Sequence, residues 1–302
     1  MDKLAGKTED AAAQAKTLVV TGATRGLGRL IAEGAALRGA KVVLACRDPA
    51  RGAEARDAIA LAAARAAADA GVEVQPPELL VLDLASLDSV RRAAGEARDR
   101  FPRIDVLVNN AGTFSRSYSE SKDGFELSMA TNFLGPFLFT RLLLPSMAPA
   151  GRIVNLSSDA YSWGRASLDK PAHGGAWSGF MNYAASKRAI LQFTLALAAR
   201  EARRGPEGLR VNALHPGVVR TEIMRIRTWY GFLVDLILAP FFQPPDEGVG
   251  MILDLALSES FADANGGYYR KGRRETPRRS VIEAGHLEAL WEESSRLVGL
   301  EP

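Results

Sequence analysis

The chain alternates short apolar runs with longer segments in which apolar residues recur every three or four positions. The short runs are rich in β-branched residues and are bounded by glycine or charged residues, which predicts buried strands. The predicted strands are 17–22, 41–46, 78–84, 104–112, 151–158, 208–217 and a short one at 266–269. The predicted helices are 28–39, 49–71, 86–101, 124–147, 182–204 and 245–257. We expect a kink near Pro136 in the fourth helix, because proline has no N–H to donate.

Strands that alternate with helices predict crossover connections and a parallel sheet covered by helices on both faces. We therefore expect an α/β fold, a Rossmann-type doubly wound sheet of about seven strands, formed as a single domain over 1–302. The first 15 residues are expected to be a flexible N-terminus, and 270–302 a C-terminal extension. The segments 159–181 and 221–245 follow strand ends, where open α/β sheets bind ligands, so they are the predicted substrate walls.

Composition narrows the classes of function. The chain is 47% hydrophobic and 24% charged and contains one cysteine, Cys46, which fits a soluble protein of a reducing compartment such as the cytoplasm. A formal net charge of +3 is too small to indicate a nucleic-acid partner. The basic segment 269–280 fits either a solvated surface or contact with anionic lipid headgroups. The N-terminus lacks a signal-peptide core, and the apolar run 229–242 is shorter than a membrane span requires. Peripheral membrane contact stays open.

The stretch TGATRGLG (21–28) lies between the first predicted strand and the first helix. Its glycines, Gly22, Gly26 and Gly28, allow a tight turn and a close approach of the backbone to a pyrophosphate at the helix N-terminus. A glycine-rich turn without a ligand is the alternative. The position of the turn between strand and helix favours dinucleotide binding.

The end of the second strand bears on the choice of dinucleotide. Sites that prefer NAD usually place an acidic residue there, whereas this chain has Cys46 and Arg47, with Asp48 one residue further. Arg25 lies within the glycine turn. Two guanidinium groups near one ribose suit a 2′-phosphate, which predicts NADP(H). NAD(H) stays an alternative because Asp48 is close enough in the chain to accept from a 2′-hydroxyl.

Seven motifs occur in an order that resembles the short-chain dehydrogenase/reductase family over nearly the whole chain. They are TGATRGLG, LDL (82–84), NNAG (109–112), Asn132, SS (157–158), YAASK (183–187) and HPGVVRT (215–221). GAKVVLACRD (39–48) and the C-terminal LEALWEESSRLVGL (287–300) resemble the retinol dehydrogenase-like branch, which includes WW-domain oxidoreductase-like enzymes. That branch typically uses NADP(H) and often acts on lipophilic carbonyls or alcohols.

The resemblance implies which residues bind the cofactor and which react. Besides the glycines and arginines named above, the implied cofactor-binding residues are Thr24, Leu27, Asp83, Leu84, Asn110, Ala111, Gly112, Tyr183, Lys187, Pro216, Gly217, Val219 and Thr221. The implied catalytic set is Asn132, Ser158, Tyr183 and Lys187. Ser157 is the adjacent alternative to Ser158, which the family pattern favours. In this set Asn132 is expected to brace a water molecule that leads to Lys187.

The residue types fit the chemistry of hydride transfer. Transfer to a carbonyl leaves an alkoxide that needs a proton, and the tyrosine hydroxyl can supply it. Lys187 lies at i+4 from Tyr183, one helical turn away on the same face, where its charge is expected to lower the tyrosine pKa. A Tyr–Lys pair at this spacing also occurs on ordinary helix faces. The cofactor motifs upstream favour the catalytic interpretation.

The expected function is that of an NADP(H)-dependent oxidoreductase acting on a small-molecule carbonyl or alcohol. The bulky apolar residues of 224–242 indicate a lid over a lipophilic or aromatic substrate, or else a packed helix pair. Two other functions remain: a tailoring ketoreductase or dehydrogenase of a biosynthetic pathway, and a catalytically silent regulatory protein that binds the cofactor. No metal-ligand spacing and no G-x-S-x-G elbow is present. The apolar stripe of the helix 182–204 fits a monomer or a homodimer.

Overall fold

The structure is a computed structural model that describes residues 16–70, 74–115, 118–164, 175–217 and 245–302. The expected flexible N-terminus, 1–15, lies outside these residues. So do positions 165–174 of the first predicted substrate wall and nearly all of the second, including the apolar run 229–242.

One sheet forms the centre of the described part of the chain. Its strand order is β3-β2-β1-β4-β5-β6-β7-β8, and the first seven strands are parallel while β8 is antiparallel to β7. The strands are β1 Thr17–Thr21, β2 Lys41–Cys46, β3 Glu78–Val81, β4 Ile104–Asn109, β5 Met147–Leu156, β6 Arg210–His215, β7 Tyr268–Arg270 and β8 Arg273–Glu275. The doubly wound parallel sheet is confirmed. The switch of direction between β1 and β4 opens the crevice where such sheets bind ligands.

Helices cover both faces of the sheet. They are α1 Gly26–Leu37, α2 Pro49–Ala70, α3 Leu87–Arg100, α4 Gly135–Leu143, α5 Gly175–Ala202, α6 Pro245–Leu257, α7 Arg279–Ile282 and α8 Ala284–Leu297. One core lies between the sheet and residues of α3, α4, α5 and α8, and a second lies under α1, α2 and α6. Several boundaries differ from the prediction by a few residues, most of all two starts: α5 begins at Gly175 rather than 182, and β5 begins at Met147 rather than 151.

The predicted irregularity near Pro136 is present. A short turn, Leu127–Met129, leads into a π-helical turn, Ala130–Leu134, before α4 begins. The N–H of Gly135 donates to the carbonyl of Ala130, five residues back, immediately before the proline that cannot donate. The π turn carries Asn132 and so sets where that side chain points.

By length and hydropathy, one helical stretch among the described residues, Leu127–Ser146, could cross a membrane. It is 72% buried inside the protein, as expected of a core helix, and it is weak evidence for a membrane span.

The C-terminal extension packs against the helix that carries Tyr183 and Lys187. The indole of Trp291 on α8 stacks on Phe193 of α5 with ring centroids 6.0 Å apart, and it meets Phe137 of α4 edge-on at 5.6 Å. The guanidinium carbons of Arg200 and Arg141 lie 4.0 Å and 4.5 Å from the indole centroid. The extension therefore packs on both α4 and α5 and completes the core on this face of the sheet.

Candidate active site

The turn between β1 and α1 forms the phosphate end of the site. Gly22 has a φ of +69°, and a Cβ there would lie 2.9 Å from Cα of Ala111. A Cβ on Gly28 would lie 2.3 Å from the carbonyl oxygen of Gly22, so the first turn of α1 packs directly on this loop. Gly26 has a φ of +54°, and a Cβ there would meet no atom within 4 Å. The first turn of α1 carries no acidic residue, and its free N–H groups and dipole suit an anion.

A hydrogen-bonded clasp joins this turn to the end of β4. The hydroxyl oxygen of Thr21 accepts from the backbone N–H groups of Asn110 and Ala111, at 3.1 Å and 3.0 Å. The Asn110 amide in turn donates to the Thr21 carbonyl at 2.8 Å. The side chain of Asn110 therefore ties two strand ends together beneath the implied cofactor. Thr21 was not among the predicted residues, although it directly precedes the first glycine.

Two neighbouring residues at the end of β2, Arg47 and Asp48, have different surroundings. The carboxylate of Asp48 accepts from the N–H groups of Ala50 and Arg51, at 3.0 Å and 3.2 Å, and so caps α2. Arg47 is exposed, and so is Arg25 in the glycine turn. Cys46 is buried, which raises its pKa to about 11, as expected of a structural thiol. Because the Asp48 carboxylate caps α2 while Arg25 and Arg47 are exposed, this strand end fits a 2′-phosphate better than a free 2′-hydroxyl.

The remaining implied cofactor residues lie at the same edge of the sheet or outside the described residues. Asp83 follows β3, and its carboxylate accepts from the N–H of Ala85 at 3.1 Å, while Leu84 and Leu27 are buried in the core. Thr24 is partly buried in the glycine turn. Pro216 and Gly217 follow β6, and Gly217 has a φ of +84°. Val219 and Thr221 lie outside the described residues.

The four predicted catalytic residues come together at the ends of β4 and β5. The ammonium group of Lys187 donates to the carbonyl of Leu156 at 2.8 Å and lies 5.8 Å from the ring centroid of Tyr183. A Cβ on Gly112 would lie 3.6 Å from that ammonium nitrogen and 3.5 Å from Oδ1 of Asn132. The NNAG turn therefore adjoins the reactive helix directly.

The two adjacent serines have different partners. The hydroxyl of Ser157 donates to the carbonyl of Lys187 at 2.9 Å and is buried, so it secures α5 to β5. The hydroxyl of Ser158 is hydrogen-bonded to Tyr183 and also accepts from the N–H of Ala160 at 3.3 Å. The structure thus places Ser158, not Ser157, beside the tyrosine hydroxyl.

Burial controls the charges of the Tyr–Lys pair. It raises the pKa of Tyr183 above its ordinary value, and the hydrogen bond from Ser158 opposes this only in part. It also lowers the pKa of Lys187 to about 8. The expectation that Lys187 lowers the tyrosine pKa is wrong for this structure, because desolvation dominates and the ammonium group points to the Leu156 carbonyl. Tyr183 is therefore fully protonated at neutral pH.

Asn132 is held by the chain itself. Its amide nitrogen donates to the carbonyl of Thr113 at 2.9 Å and to the hydroxyl of Ser186 at 3.0 Å. Its oxygen accepts from the N–H of Thr113 at 2.7 Å. Ser186 passes the connection on by donating to the Tyr183 carbonyl at 2.7 Å. The expected role in bracing a water molecule stays a prediction, and Ser186 is a further member of the site that sequence reasoning missed.

One aromatic side chain borders the tyrosine, and a second lies on a nearby turn. The ring of Phe114 meets the ring of Tyr183 edge-on at 5.6 Å, and Trp163 is 61% exposed on the turn that follows Ser158. Phe114 was not predicted, since it belongs to no motif, whereas Trp163 lies in the predicted substrate wall 159–181 without having been singled out. Among the residues that the structure describes, no group of three His, Cys, Asp or Glu side chains is placed to hold a metal ion.

Comparisons with known proteins agree with this geometry. The model of the family described as short chain dehydrogenase matches residues 16–230. Human retinol dehydrogenase 14 is 38% identical over 298 residues, covering 94% of this chain and 87% of that protein. A protein of Streptomyces sp. (strain C5), named "Putative daunorubicin C-13 ketoreductase DnrU", is 36% identical over 290 residues, covering 94% of this chain and 93% of its own.

A solved structure shares both the fold and some sequence. It is that of a blue fluorescent protein from a metagenomic library in complex with NADPH. The two chains superpose with a TM-score of 0.66 at 25% identity, over 86% of this chain and 97% of the other.

Proposed function

Because the chain belongs to the short-chain dehydrogenase family, we propose that it is an NADP(H)-dependent oxidoreductase that interconverts a carbonyl and an alcohol. Its relatives place it in the retinol dehydrogenase-like branch, as the resemblance predicted. The proposed substrate is bulky and lipophilic or aromatic, and Tyr183 is the proposed general acid and base. The observation that carries the proposal is the hydrogen-bonded Ser158–Tyr183 pair beside the Lys187 ammonium group.

The choice of NADP(H) over NAD(H) rests on two features of the proposed cofactor crevice, the glycine turn and the end of β2. The glycine turn leaves room for a pyrophosphate at the start of α1. Arg25 and Arg47 are exposed near the expected ribose, and Asp48 is engaged in capping α2. The metagenomic neighbour was solved with NADPH, which supports the same choice. NADP(H) is thus preferred over NAD(H).

In the proposed mechanism the bound nicotinamide supplies a hydride to the carbonyl carbon, or accepts one from the alcohol carbon. Tyr183 gives its proton to the substrate oxygen as negative charge develops there, and Ser158 holds that oxygen by a hydrogen bond. The Lys187 ammonium group, which lies 5.8 Å from the Tyr183 ring, would donate to the nicotinamide ribose and so hold the cofactor beside the tyrosine. Because burial raises its pKa, Tyr183 carries the proton that the reduction step requires.

The substrate class follows from the surroundings of the tyrosine. Phe114 borders its ring, and Trp163 offers an exposed indole on the turn after Ser158. Aromatic walls suit a bulky apolar or aromatic carbonyl. The apolar run 229–242, which suggested the same substrate class from sequence, lies outside the described residues.

The decisive test is NADPH oxidation with 2-naphthaldehyde, all-trans-retinal and pyruvate as substrates. We expect turnover of the two apolar aldehydes and none of pyruvate. Tyr183→Phe is expected to lower kcat by about 10²- to 10⁴-fold while NADPH still binds, because only the proton donor is lost.

Tyr269→Phe is the matched control, since Tyr269 is a buried tyrosine that packs on Phe261 away from the reactive group. A wild type as inert as Tyr183→Phe, with NADPH binding intact, would instead support the silent regulatory alternative. Turnover of pyruvate alone would contradict the apolar substrate class.

A second candidate function is a tailoring ketoreductase of a biosynthetic pathway. The Streptomyces relative favours it, because the alignment covers 93% of that protein. The two functions differ in substrate. A tailoring ketoreductase is expected to reduce a polycyclic aromatic ketone such as daunorubicin with a higher kcat/KM than retinal. The reverse preference would favour the retinol dehydrogenase-like activity.

The proposed location is the cytoplasm, with peripheral contact to anionic membranes through the basic segment 269–280. In its described positions this segment exposes Lys271, Arg273 and Arg274. Cosedimentation with phosphatidylserine vesicles tests the contact, and retention in the supernatant at low salt would contradict it. Light scattering after gel filtration distinguishes a monomer from a homodimer, the two alternatives that the sequence leaves open.

A further inference from the structure

A cluster of charged and hydroxyl side chains surrounds Asp159, the residue directly after Ser158. One carboxylate oxygen of Asp159 accepts from the hydroxyl of Tyr268 at 3.1 Å. The other lies 2.8 Å from Nε of Arg270 and 3.5 Å from Nε2 of His215. One carboxylate thus meets one hydrogen-bond donor and two basic side chains from two other strands.

The sheet explains why these groups meet. β5, β6 and β7 are adjacent and parallel, so their carboxyl ends lie side by side. His215 ends β6 and is paired in register with Arg270, which ends β7. Asp159 starts the turn Asp159–Ser162, three residues beyond the last residue of β5. The carboxylate therefore joins the ends of three strands at the catalytic edge of the sheet.

The same turn is held to the C-terminal region at further points. The ring of Tyr161 meets the ring of Tyr268 edge-on at 5.3 Å, within a small core of its own. Arg278 donates to the carbonyl of Ser162 at 3.1 Å. Arg188, next to Lys187 on α5, donates to the carbonyls of Gly164 and Ser280. The backbone of the turn is thus fixed throughout its length, while Asp159 alone joins it to both β6 and β7 in these contacts.

Ser158 depends on this turn for its orientation. It is the N-cap residue, with extended backbone angles of φ −160° and ψ 153°, and its hydroxyl accepts from the N–H of Ala160 inside the turn. A shift of the turn would move the hydroxyl away from Tyr183. Asp159 lies in the chain between Ser158 and Ala160. The contacts of its carboxylate therefore fix the positions of both the capping hydroxyl and the N–H that it binds.

We propose that Asp159 is a positioning residue, whose carboxylate fixes the Ser158 hydroxyl against Tyr183 by tying the turn to Tyr268, Arg270 and His215. The proposal rests on the proposed function, since it assigns Ser158 to the substrate oxygen. Asp159 touches neither substrate nor cofactor in this role. It acts through the serine.

The test compares Asp159→Asn with the wild type in NADPH-dependent reduction of 2-naphthaldehyde. Asparagine keeps an acceptor for Tyr268 but loses the charge that attracts Arg270. We expect kcat to fall by about 10- to 100-fold, because a misplaced reacting group costs this much. The KM for NADPH and the thermal midpoint are expected to stay near their wild-type values, a split that a purely structural defect would not produce.

Asp263→Asn is the matched control, because Asp263 is a fully exposed carboxylate of the same C-terminal region, 4.0 Å from Arg210. It is expected to behave as the wild type. Wild-type kcat in Asp159→Asn would overturn the positioning role, as would a parallel loss of kcat, NADPH binding and thermal stability.

Tyr268→Phe decides the matter if Asp159→Asn does not fold, since it removes one donor to Asp159 and keeps the buried ring. A fall in kcat of about threefold or more at unchanged KM for NADPH supports the role, by the same positional argument. A wild-type kcat overturns it. An active wild type with an inert Tyr183→Phe leaves the proposed function standing in either case, whereas an inert wild type overturns both proposals.

Discussion

At the scale of single residues, Arg47 and Asp48 show how a hydrogen bond can decide a preference for one cofactor. Both residues follow β2, where a ribose is expected, and they carry opposite charges. The backbone N–H groups of Ala50 and Arg51 bind one oxygen of the Asp48 carboxylate, while the neighbouring Arg47 is exposed. Selectivity here depends on which of two adjacent residues the start of α2 engages.

This leads to a prediction for Arg47→Gln combined with Arg25→Gln. We expect the KM for NADPH to rise about tenfold or more, since charge-assisted bonds to a phosphate contribute about 1.5–3 kcal/mol each. The KM for NADH is expected to change little. Arg56→Gln is the control, because Arg56 is an exposed arginine of α2 that pairs with Asp57. Equal losses for the two cofactors would contradict the assignment of the arginines to a 2′-phosphate.

At the scale of elements, two helix glycines differ in whether the packing requires glycine. Gly28 lies too close to its neighbours for a side chain, whereas Gly95 has open space around it. A Cβ on Gly28 would meet the Gly22 carbonyl at 2.3 Å and the Asn110 amide at 2.4 Å, both held by the clasp to Thr21. A Cβ on Gly95, in the middle of α3, would meet nothing within 4 Å. Gly28 therefore packs the helix directly on the loop, whereas Gly95 makes no such contact outside its own helix.

We therefore expect opposite effects from the two alanine substitutions. Gly28→Ala should lower the free energy of unfolding by about 1–3 kcal/mol or more through overpacking, and it should weaken NADPH binding. Gly95→Ala should raise the free energy of unfolding by about 0.5–1 kcal/mol, the difference in helix propensity. Urea unfolding followed by circular dichroism measures both. A neutral Gly28→Ala would show that the turn can move away from α1.

The second prediction at this scale concerns the contribution of Trp291, on the C-terminal helix α8, to the free energy of unfolding. Trp291 lies between Phe193 and two arginines and is buried, whereas Trp163 is 61% exposed. Trp291→Ala is expected to cost about 3–5 kcal/mol of the free energy of unfolding, the usual cost of a large core truncation. Trp163→Ala is the control and should stay within about 0.5 kcal/mol. Similar values for the two variants would mean that α8 contributes little to the core.

Particular elements show how far the sequence predicts this molecule. The seven parallel strands follow from apolar runs, and the meeting of Tyr183, Lys187, Ser158 and Asn132 follows from motifs in family order. The strand β8 was missed because its three residues are charged and exposed, so no apolar pattern marks it. The contacts of Asp159 were missed because they join residues more than 50 positions apart in the chain. The tyrosine pKa was misjudged because burial is a property of the packed site rather than of helical spacing.

At the scale of the whole molecule, burial of Lys187 makes folding stability depend on pH. Burial lowers its pKa from the ordinary 10.5 to about 8. Between these values the unfolded chain binds the proton more strongly than the folded one, so this residue makes the free energy of unfolding rise with pH. Below pH 8 the folded protein carries a buried ammonium group at a cost of about 3 kcal/mol, and this cost disappears as the pH approaches 10.5.

The prediction concerns the difference between the wild type and Lys187→Met, in which titration at this position is lost. We expect the free energy of unfolding of the wild type to gain about 2 kcal/mol relative to the variant between pH 7.5 and pH 10. Tyr183 and the other titrating groups are common to both proteins, so their contributions largely cancel in the difference. Lys122→Met, which replaces an exposed lysine, should show a constant difference from the wild type over the same range. A constant difference for Lys187→Met as well would mean that the ammonium group keeps its ordinary pKa in the folded protein, and that the bond to the Leu156 carbonyl compensates for its burial.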